Sequence, residues 1–406
     1  MITPYHLFNL YLGKRVHVGV CGSIAAYRMP DVLRSLNKVG AETGVTLTRA
    51  GSRFIPALNF RALGADPVYV SGEIDDEETF AHLAPGKIAH SMLIAPATAN
   101  TLARIAGGFA DDLLSCQVLA FSGPIALAPA MNPTMWNAPA VQENWEKLKK
   151  RGFVCIEPDS GGTACGDTGQ GRLAEDYLIF LEVLKTLTEQ DMSGQKVLIT
   201  CGPTRESFDP VRFWSNPSSG KMGLALALAA WLRGAQVHVI HGPIAETWLP
   251  PDIKRVPVQS ASEMHQAVTD KWQETDIGCF AAAVADFTPD SPSQYKTKKS
   301  DHSALSVHFS RTPDILARAG KDKKDGQKLI GFAAETENLE TACAQKLRQK
   351  NLDMIVGNLV SGPGNAFASD QNTVLVQDRE GRKETWPPLD KTEVAWRIWD
   401  WLRDIE

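Results

Sequence analysis

Three kinds of side chain in this sequence could do chemistry where they stand. The first is a thiol. Cys165 lies in Gly161-Gly162-Thr163-Ala164-Cys165-Gly166-Asp167-Thr168-Gly169-Gln170-Gly171-Arg172, a run too rich in Gly for a regular helix or strand. It predicts a flexible flap that carries one cysteine. Most cysteines are inert core residues, and Cys116 and Cys201 are expected to be of that kind. The second kind is a Gly/Ser turn opening a helix, whose N–H groups suit an anion. Gly22-Ser23-Ile24 follows one apolar run, and Ser218-Ser219-Gly220-Lys221 precedes another. Alone, the first reads equally as an ordinary strand-to-helix turn. The third kind is the pair Lys346 and Lys350, spaced i,i+4 so that one helical face presents two ammonium groups. They read equally as surface lysines.

The spacing excludes two familiar phosphate loops. Gly22-Ser23-Ile24 is not GxGxxG, and Thr48-Arg49 stands where a dinucleotide site needs an acidic residue, so a mononucleotide fits better than NAD. Gly220-Lys221 is not a Walker loop, because Ser215 replaces the first Gly and Met222 the final Ser/Thr. Two further loops after strands carry small and polar groups: Ala95-Pro96-Ala97-Thr98-Ala99-Asn100-Thr101 and Pro129-Ala130-Met131-Asn132-Pro133-Thr134-Met135-Trp136.

Strands and helices must hold these loops in place. The apolar run Val16 to Val20, a turn, a helix with Val32, Leu33 and Leu36, then Gly40 and the run Gly44 to Thr48 predict a strand–turn–helix–strand unit. The plan restarts near residue 191, with Val197 to Thr200, a helix over Gly223 to Arg233, Gly234 and a strand over Ala235 to Ile240. Further strands are predicted at 91–95, 125–128, 280–283, 329–332, 354–356 and 373–376. The fold class is α/β, with two parallel-sheet domains in tandem meeting at about residue 190 and ligands at the carboxyl ends of the strands. Thr288 to Lys328 reads as a long loop region, with Lys321, Lys323, Lys324 and Lys328 on a solvated face. Lys391 to Ile405 predicts a packed helix.

Composition narrows the function classes. The 406 residues predict two or three domains at about 150 each. A formal charge of -5 gives no electrostatic reason to bind nucleic acid or a membrane surface. No apolar run approaches the ~20 residues of a membrane span. Seven Cys without a CxxC pair argue against a disulfide framework or a zinc ribbon. A cytoplasmic protein is expected.

Taken in order, the Gly22-Ser23-Ile24 turn, His82, the loop over 95–101, Pro129-Ala130-Met131-Asn132 and Ala164 to Arg172 resemble the flavin-dependent cysteine decarboxylases. With Gly202-Pro203-Thr204-Arg205-Glu206 and Asp209 to Gly223, the whole chain resembles the bacterial bifunctional phosphopantothenoylcysteine decarboxylase/phosphopantothenate–cysteine ligases of coenzyme A synthesis. The resemblance implies two Rossmann-like domains: an FMN-dependent decarboxylase over 1–190 and a CTP-dependent ligase over 191–406. It implies ligation of L-cysteine to 4'-phosphopantothenate through an acyl-cytidylate with Mg2+, then decarboxylation to 4'-phosphopantetheine. In the second reaction FMN takes electrons from the cysteine thiol and returns them after CO2 is lost from a thioaldehyde.

Residue by residue, the resemblance implies FMN contacts at Gly22, Ser23, Ile24, Thr48, Thr98, Ala99, Asn100, Thr101 and Ala130. It makes His82 a base, in preference to His90, Asn132 the holder of the substrate carboxylate and Cys165 a proton donor. In the ligase half it implies Asn216 at the acyl-cytidylate and Lys296 as a catalytic lysine. The nucleotide contacts it implies are Ala281, Ala282, Ala283, Asp286, Lys296, Pro313, Asp314, Ile315, Leu316, Phe332, Lys346 and Lys350. A homo-oligomer, a dodecamer of trimers and dimers, is also implied. Two positions depart from the family pattern: Asp111 stands where relatives often carry Asn, and Pro217 where they often carry His. The alternatives are another flavoprotein of the same fold, such as a peptide cysteine decarboxylase, and a regulatory flavin-fold binding protein. The second half disfavours the former. The thiol flap together with Asn216 disfavours the latter.

Overall fold

The computed structural model describes residues 7–72, 80–162, 166–245, 249–298, 306–359 and 370–405. The chain divides into two compact units, with the division between Glu189 and Gln190.

In the first unit β1 (Arg15–Val20), β2 (Glu42–Leu47), β3 (Val68–Val70), β4 (Ser91–Ala97), β5 (Ile125–Pro129) and β6 (Val154–Cys155) form one parallel sheet in the order 3-2-1-4-5-6. Helices α1 (Met29–Lys38), α2 (Ala57–Ala62), α3 (Ala84–Ile88), α4 (Ala99–Gly107), α5 (Leu113–Ala120), α6 (Pro133–Trp136), α7 (Pro139–Lys150) and α8 (Asp176–Leu187) connect and flank it. Val32, Leu33 and Leu36 of α1 are fully buried, as their helical spacing requires. Strand order reverses between β1 and β4, the switch point of a doubly wound sheet.

The Gly-rich run is not irregular. Its ends form an antiparallel hairpin, β7 (Asp159–Gly162) and β8 (Thr168–Arg172). Gly carries the ladder because the backbone needs what other residues cannot adopt: Gly171 has φ +145°, and a Cβ on it would stand 2.5 Å from Met131 O. Residues 163–165, Cys165 included, lie outside the described residues. Cys201 is fully buried with its thiol pushed up to about 12 by burial, but Cys116 is only half-buried, its Sγ 3.2 Å from Ala110 O.

The second unit contains β9 (Lys196–Cys201), β10 (Arg205–Ser207), β11 (Phe213–Ser215), β12 (Gln236–His241), β13 (Lys254–Pro257), β14 (Ile277–Phe280), β15 (Phe287–Pro289), β16 (Phe309–Arg311), β17 (Lys328–Glu335), β18 (Met354–Leu359), β19 (Gln371–Asp378) and β20 (Lys383–Asp390). The main sheet runs 13-12-9-14-17-18-19-20, with a second switch point between β9 and β14. It is not wholly parallel, as the sequence led us to expect. β19 pairs antiparallel with β18 and β20 antiparallel with β19, each strand returning beside the one before it. Pro387 and Pro388 lie in β20, the edge strand, where a missing N–H is tolerated.

Helices α9 (Lys221–Leu232), α10 (Ala261–Trp272), α11 (Ile315–Lys321), α12 (Leu339–Gln349) and α13 (Lys391–Arg403) complete the unit. Residues Gly223–Leu232 of α9 are all buried, and Trp399 Nε1 of α13 donates to Leu226 O at 3.1 Å. Gly223 permits the closest approach: a Cβ there would lie 2.1 Å from Cys201 Cβ. The stretch 288–328 is more ordered than a loop, since it holds the β15–β16 pair and α11. Lys321 is exposed as expected, but the other three lysines are not simply solvated. Lys323 Nζ lies 3.0 Å from the buried Asp353 carboxylate, Lys324 Nζ bonds Gln273 O, and Lys328 Nζ bonds Ile405 O.

Candidate functional site

Four loops meet along the carboxyl ends of the first sheet. Gly22 and Ser23 follow β1, and Ser23 Oγ accepts the Ala25 N–H at 3.3 Å. After β2, Thr48 Oγ1 accepts from Gly51 N at 3.0 Å and reaches Val20 O at 3.4 Å, which ties the first two loops together. Thr98 caps α4 through the Thr101 N–H at 3.3 Å, and Thr101 Oγ1 lies 3.2 Å from Cys21 Sγ. Ala130 N donates to Ala97 O at 3.0 Å, bringing the loop after β5 beside the loop after β4. Ile24 and Asn100 are exposed, and Ala99 is half-buried. The geometry is a row of backbone N–H groups and small neutral side chains, with no carboxylate among these residues.

The hairpin docks on this row. Met131 N donates to Gly171 O at 2.9 Å. Asn132 caps α6 through the Thr134 N–H at 2.7 Å, and its Nδ2 donates to Asp167 Oδ2 at 2.5 Å. Asn132 and the described end of the flap are thus held together. His82 is half-buried in the segment before α3, with the Phe80 ring 6.4 Å from its own. Gln117, fully buried in α5, donates to Ala81 O at 3.0 Å and fixes the backbone just ahead of His82. Sequence reasoning missed Gln117, since nothing local marks a glutamine that bonds a backbone 36 residues away. His90 is elsewhere: its Nδ1 accepts from Arg15 N at 3.0 Å, at the amino end of β1 and β4. Asp111 is exposed and pairs with Arg104 at 3.3 Å.

The second unit holds a cavity of about 820 Å³ at the switch point of its sheet. It opens because β14 parts from β17 after Phe280–Gly331, while Ala281 and Ala283 continue to donate to Thr200 O and Gly202 O at 3.1 and 2.9 Å. The expected strand over 280–283 is therefore displaced: it spans 277–280, and the alanines form the cavity wall beyond it. Asn216, Ala281, Ala282, Ala283, Asp286, Pro313, Asp314, Ile315, Leu316, Phe332, Lys346 and Lys350 all line this cavity. Asn216 Nδ2 donates to Ala283 O and Val284 O at 3.3 and 3.1 Å, fixing that wall, while Pro217 beside it is exposed.

Lys346 of α12 and Lys350, which caps its C-terminus, are each paired. Lys350 Nζ lies 2.8 Å from Asp314, and Lys346 Nζ lies 2.6 Å from Glu335. Burial pulls the Asp314 carboxyl up, but the Lys350 hydrogen bond and the Ala317 N–H outweigh it and hold the group below the usual carboxylate range. Lys296 is not brought to the cavity. It is exposed, and its neighbour Thr297 donates to Asp209 Oδ2 at 3.3 Å and accepts from Arg212 Nη1 at 3.3 Å. The cavity also gathers Lys221, Arg311, Asn358, Asn372 and Lys391, which sequence reasoning did not assign. One signal was present: Lys221 and Lys391 each open a helix, where the dipole disfavours a cation.

Among the described residues, no group of three or more His, Cys, Asp or Glu could hold a metal ion, and no helix is long and apolar enough to cross a membrane.

Fold and site together define a tandem α/β protein, a flavoprotein unit followed by a unit with its own ligand cavity. Family models agree: residues 9–188 match Flavoprotein, and residues 192–405 match the DNA/pantothenate metabolism flavoprotein C-terminal domain. The chain is 40% identical over 389 residues to the coenzyme A biosynthesis bifunctional protein CoaBC of Bacillus subtilis, covering 95% of each chain. It is 40% identical over 392 residues to the protein of the same description from Escherichia coli, again covering 95% of each. A solved structure of the C-terminal domain of a coenzyme A biosynthesis bifunctional protein CoaBC aligns at 39% identity and TM-score 0.45, over 53% of this chain and 96% of that one. The chain belongs to the CoaBC family of coenzyme A biosynthesis bifunctional proteins. It is a bifunctional enzyme that joins a decarboxylase to a ligase.

Proposed function

We propose that the second unit ligates L-cysteine to 4'-phosphopantothenate at the expense of CTP, and that the first unit decarboxylates the product to 4'-phosphopantetheine with FMN. One observation carries the ligase reading. A single cavity at a sheet switch point collects Asn216, the 281–283 wall, Asp286, the 313–316 turn, Phe332, Lys346 and Lys350 from segments far apart in sequence. Phe332 and the alanines offer apolar walls for a base, and the lysines offer charge for phosphates. Asn216 keeps the 283–284 wall in register, so that a carboxylate and a nucleotide phosphate in the cavity meet in one orientation. Lys296 takes the role of charge neutralisation on the reacting phosphate, through movement of its loop. Mg2+ enters on the triphosphate rather than in a protein cage, in keeping with the sparse carboxylates of the cavity wall.

In the first unit the neutral N–H and hydroxyl donors at residues 22–24, 98–101 and 130 suit a flavin mononucleotide, whose phosphate needs donors and no acidic neighbour. FMN, when bound, supplies the acceptor and donor of an electron pair. His82 takes the proton of the substrate cysteine, Asn132 holds the carboxylate that leaves as CO2, and Cys165 returns a proton at the end. The assembled enzyme is proposed to be a homo-oligomer, which light scattering on the purified protein tests.

The deciding experiment is mass spectrometry of the products formed from 4'-phosphopantothenate, cysteine, CTP and Mg2+. CMP, pyrophosphate and 4'-phosphopantetheine are expected. Absence of CTP consumption would refute the ligase reading. Accumulation of 4'-phosphopantothenoylcysteine by flavin-loaded protein would refute the decarboxylase reading.

A further inference from the structure

The wall that carries Asp286 leaves the main sheet before it reaches that residue. β14 ends at Phe280, an isolated bridge joins Ala283 to Pro203, and β15 begins only at Phe287. Backbone polar groups in such a gap need partners from elsewhere. Two threonines supply them. Thr204 Oγ1 accepts from Ala285 N at 2.9 Å. On the other side of the same residue Thr312 Oγ1 donates to Ala285 O at 2.6 Å, and Thr312 N donates to Asp286 O at 3.0 Å.

Thr204 is 0% exposed, and its backbone is engaged as well. Its N–H donates to Ala283 O at 3.4 Å, and its C=O accepts from Ser215 Oγ at 2.7 Å, one residue before Asn216. It thus ties the Asn216 loop to the alanine wall without lining the cavity itself. Thr312 stands one residue before the Pro313–Leu316 turn, so the clamp on Ala285 joins two walls of the same cavity. The motif Gly202-Pro203-Thr204-Arg205-Glu206 marks this segment in the sequence, and the proposed ligation gives none of its residues a task.

We propose that Thr204 is a positioning residue for nucleotide binding: its hydroxyl, acting through Ala285, fixes where Asp286 stands against the 313–316 turn. The hydroxyl is what matters. A valine has nearly the same shape, but it would leave the Ala285 N–H without its acceptor, and the peptide would turn to find another. Asp286 is carried with that peptide, because its own C=O is bonded to Thr312 N. The inference rests on the reading of Asp286 as a nucleotide contact.

The test is a double-mutant cycle on the full-length enzyme, with Thr204→Val, Asp286→Ala and the two together, and Thr204→Ser as the rescue. Thr204→Val is expected to raise the KM for CTP about tenfold, in keeping with one buried hydrogen bond left unmade. The KM for cysteine and the decarboxylation of supplied 4'-phosphopantothenoylcysteine should stay as in wild type, and Ser should restore the KM for CTP to within about twofold of wild type. In the Asp286→Ala background the same Val change should add less than about twofold, since a residue that acts through Asp286 has nothing left to position. A residue that serves only the fold would add its effect in full. Full additivity, or an unchanged KM for CTP in Thr204→Val beside a raised one in Asp286→Ala, would overturn the proposal and leave the reading of Asp286 standing. An unchanged KM for CTP in Asp286→Ala marks failure of that reading and overturns the proposal with it. If Thr204→Val does not fold, Thr204→Cys, whose sulfur is only a weak acceptor, takes its place in the same cycle. If the wild-type enzyme consumes no CTP, the ligation reading fails, and CTP affinity measured by calorimetry replaces KM throughout the cycle.

Discussion

Replacing His17 by Gln should flatten the acid side of the first unit's stability profile. His17 lies in the middle of β1, 1% exposed, with Nε2 2.7 Å from Thr46 Oγ1. Burial, and to a lesser degree the charge of Arg15, pulls its pKa down from 6.5 to about 3. The folded value lies below the unfolded one, so the fold accepts the neutral ring and resists the charged one. This contribution is complete above pH 6.5 and is lost as the pH falls from 6.5 toward 3. At pH 5 the unfolded chain has taken up the proton and the folded chain has not. The deficit there is about 1.5 pKa intervals of 1.36 kcal/mol, or about 2 kcal/mol. Glutamine can still bond Thr46 but cannot titrate. Hydrogen exchange at the β1 and β2 amides, compared at pH 7 and pH 5 after correction for intrinsic rates, measures opening of this sheet alone. Wild type should lose about 2 kcal/mol more than His17→Gln over that interval. Equal losses would refute the reasoning, because a ring that charges without cost is not held neutral by burial.

Other outcomes can be checked on the same protein. Gly171→Ala puts a Cβ 2.5 Å from Met131 O at φ +145°, a strain of at least about 1–3 kcal/mol. It should slow decarboxylation at least tenfold while ligation continues, so that 4'-phosphopantothenoylcysteine accumulates in mass spectra. Asn216→Asp sets a carboxylate against the Ala283 and Val284 carbonyls, and CTP consumption should fall at least tenfold while supplied 4'-phosphopantothenoylcysteine is still decarboxylated. Asp353→Ala strips Lys323 and Arg379 of their buried partner, and urea unfolding of the second unit should show a loss of about 3–5 kcal/mol.

What was legible in the sequence is what short-range pattern encodes. The runs Val16–Val20 and Val197–Thr200, each followed by a turn and a helix, place both switch points, and with the resemblance they lead to twelve residues that do line one cavity. What was not legible depends on partners far along the chain. Lys323 reads as a solvated lysine until Asp353, 30 residues on, comes to meet it. The strand at 280–283 slips because the apolar run continues past the point where β17 diverges. The β7–β8 hairpin was hidden by its glycines, which discourage a strand locally and are required by the Met131 backbone they cross. Lys296 carries its expected role by resemblance alone, since its position is set by Asp209 and Arg212.

The antiparallel return of β19 and β20 also governs how the enzyme comes into being on the ribosome. Asn216 and the alanine wall are synthesised early in the second unit, but Asn372 and Lys391 reach the same cavity only after β18 has been laid down and the chain has doubled back twice. A nascent chain that has emerged through residue 359 already contains the whole first sheet, which belongs to a unit that ends at Glu189. It can fold that unit and leave it to acquire its flavin, since domains fold as units in the order of their synthesis. The second cavity still lacks a wall at that moment. The unit whose activity acts second in the proposed sequence is therefore assembled first, and the cavity of the second unit is completed only when the chain has been carried past β20.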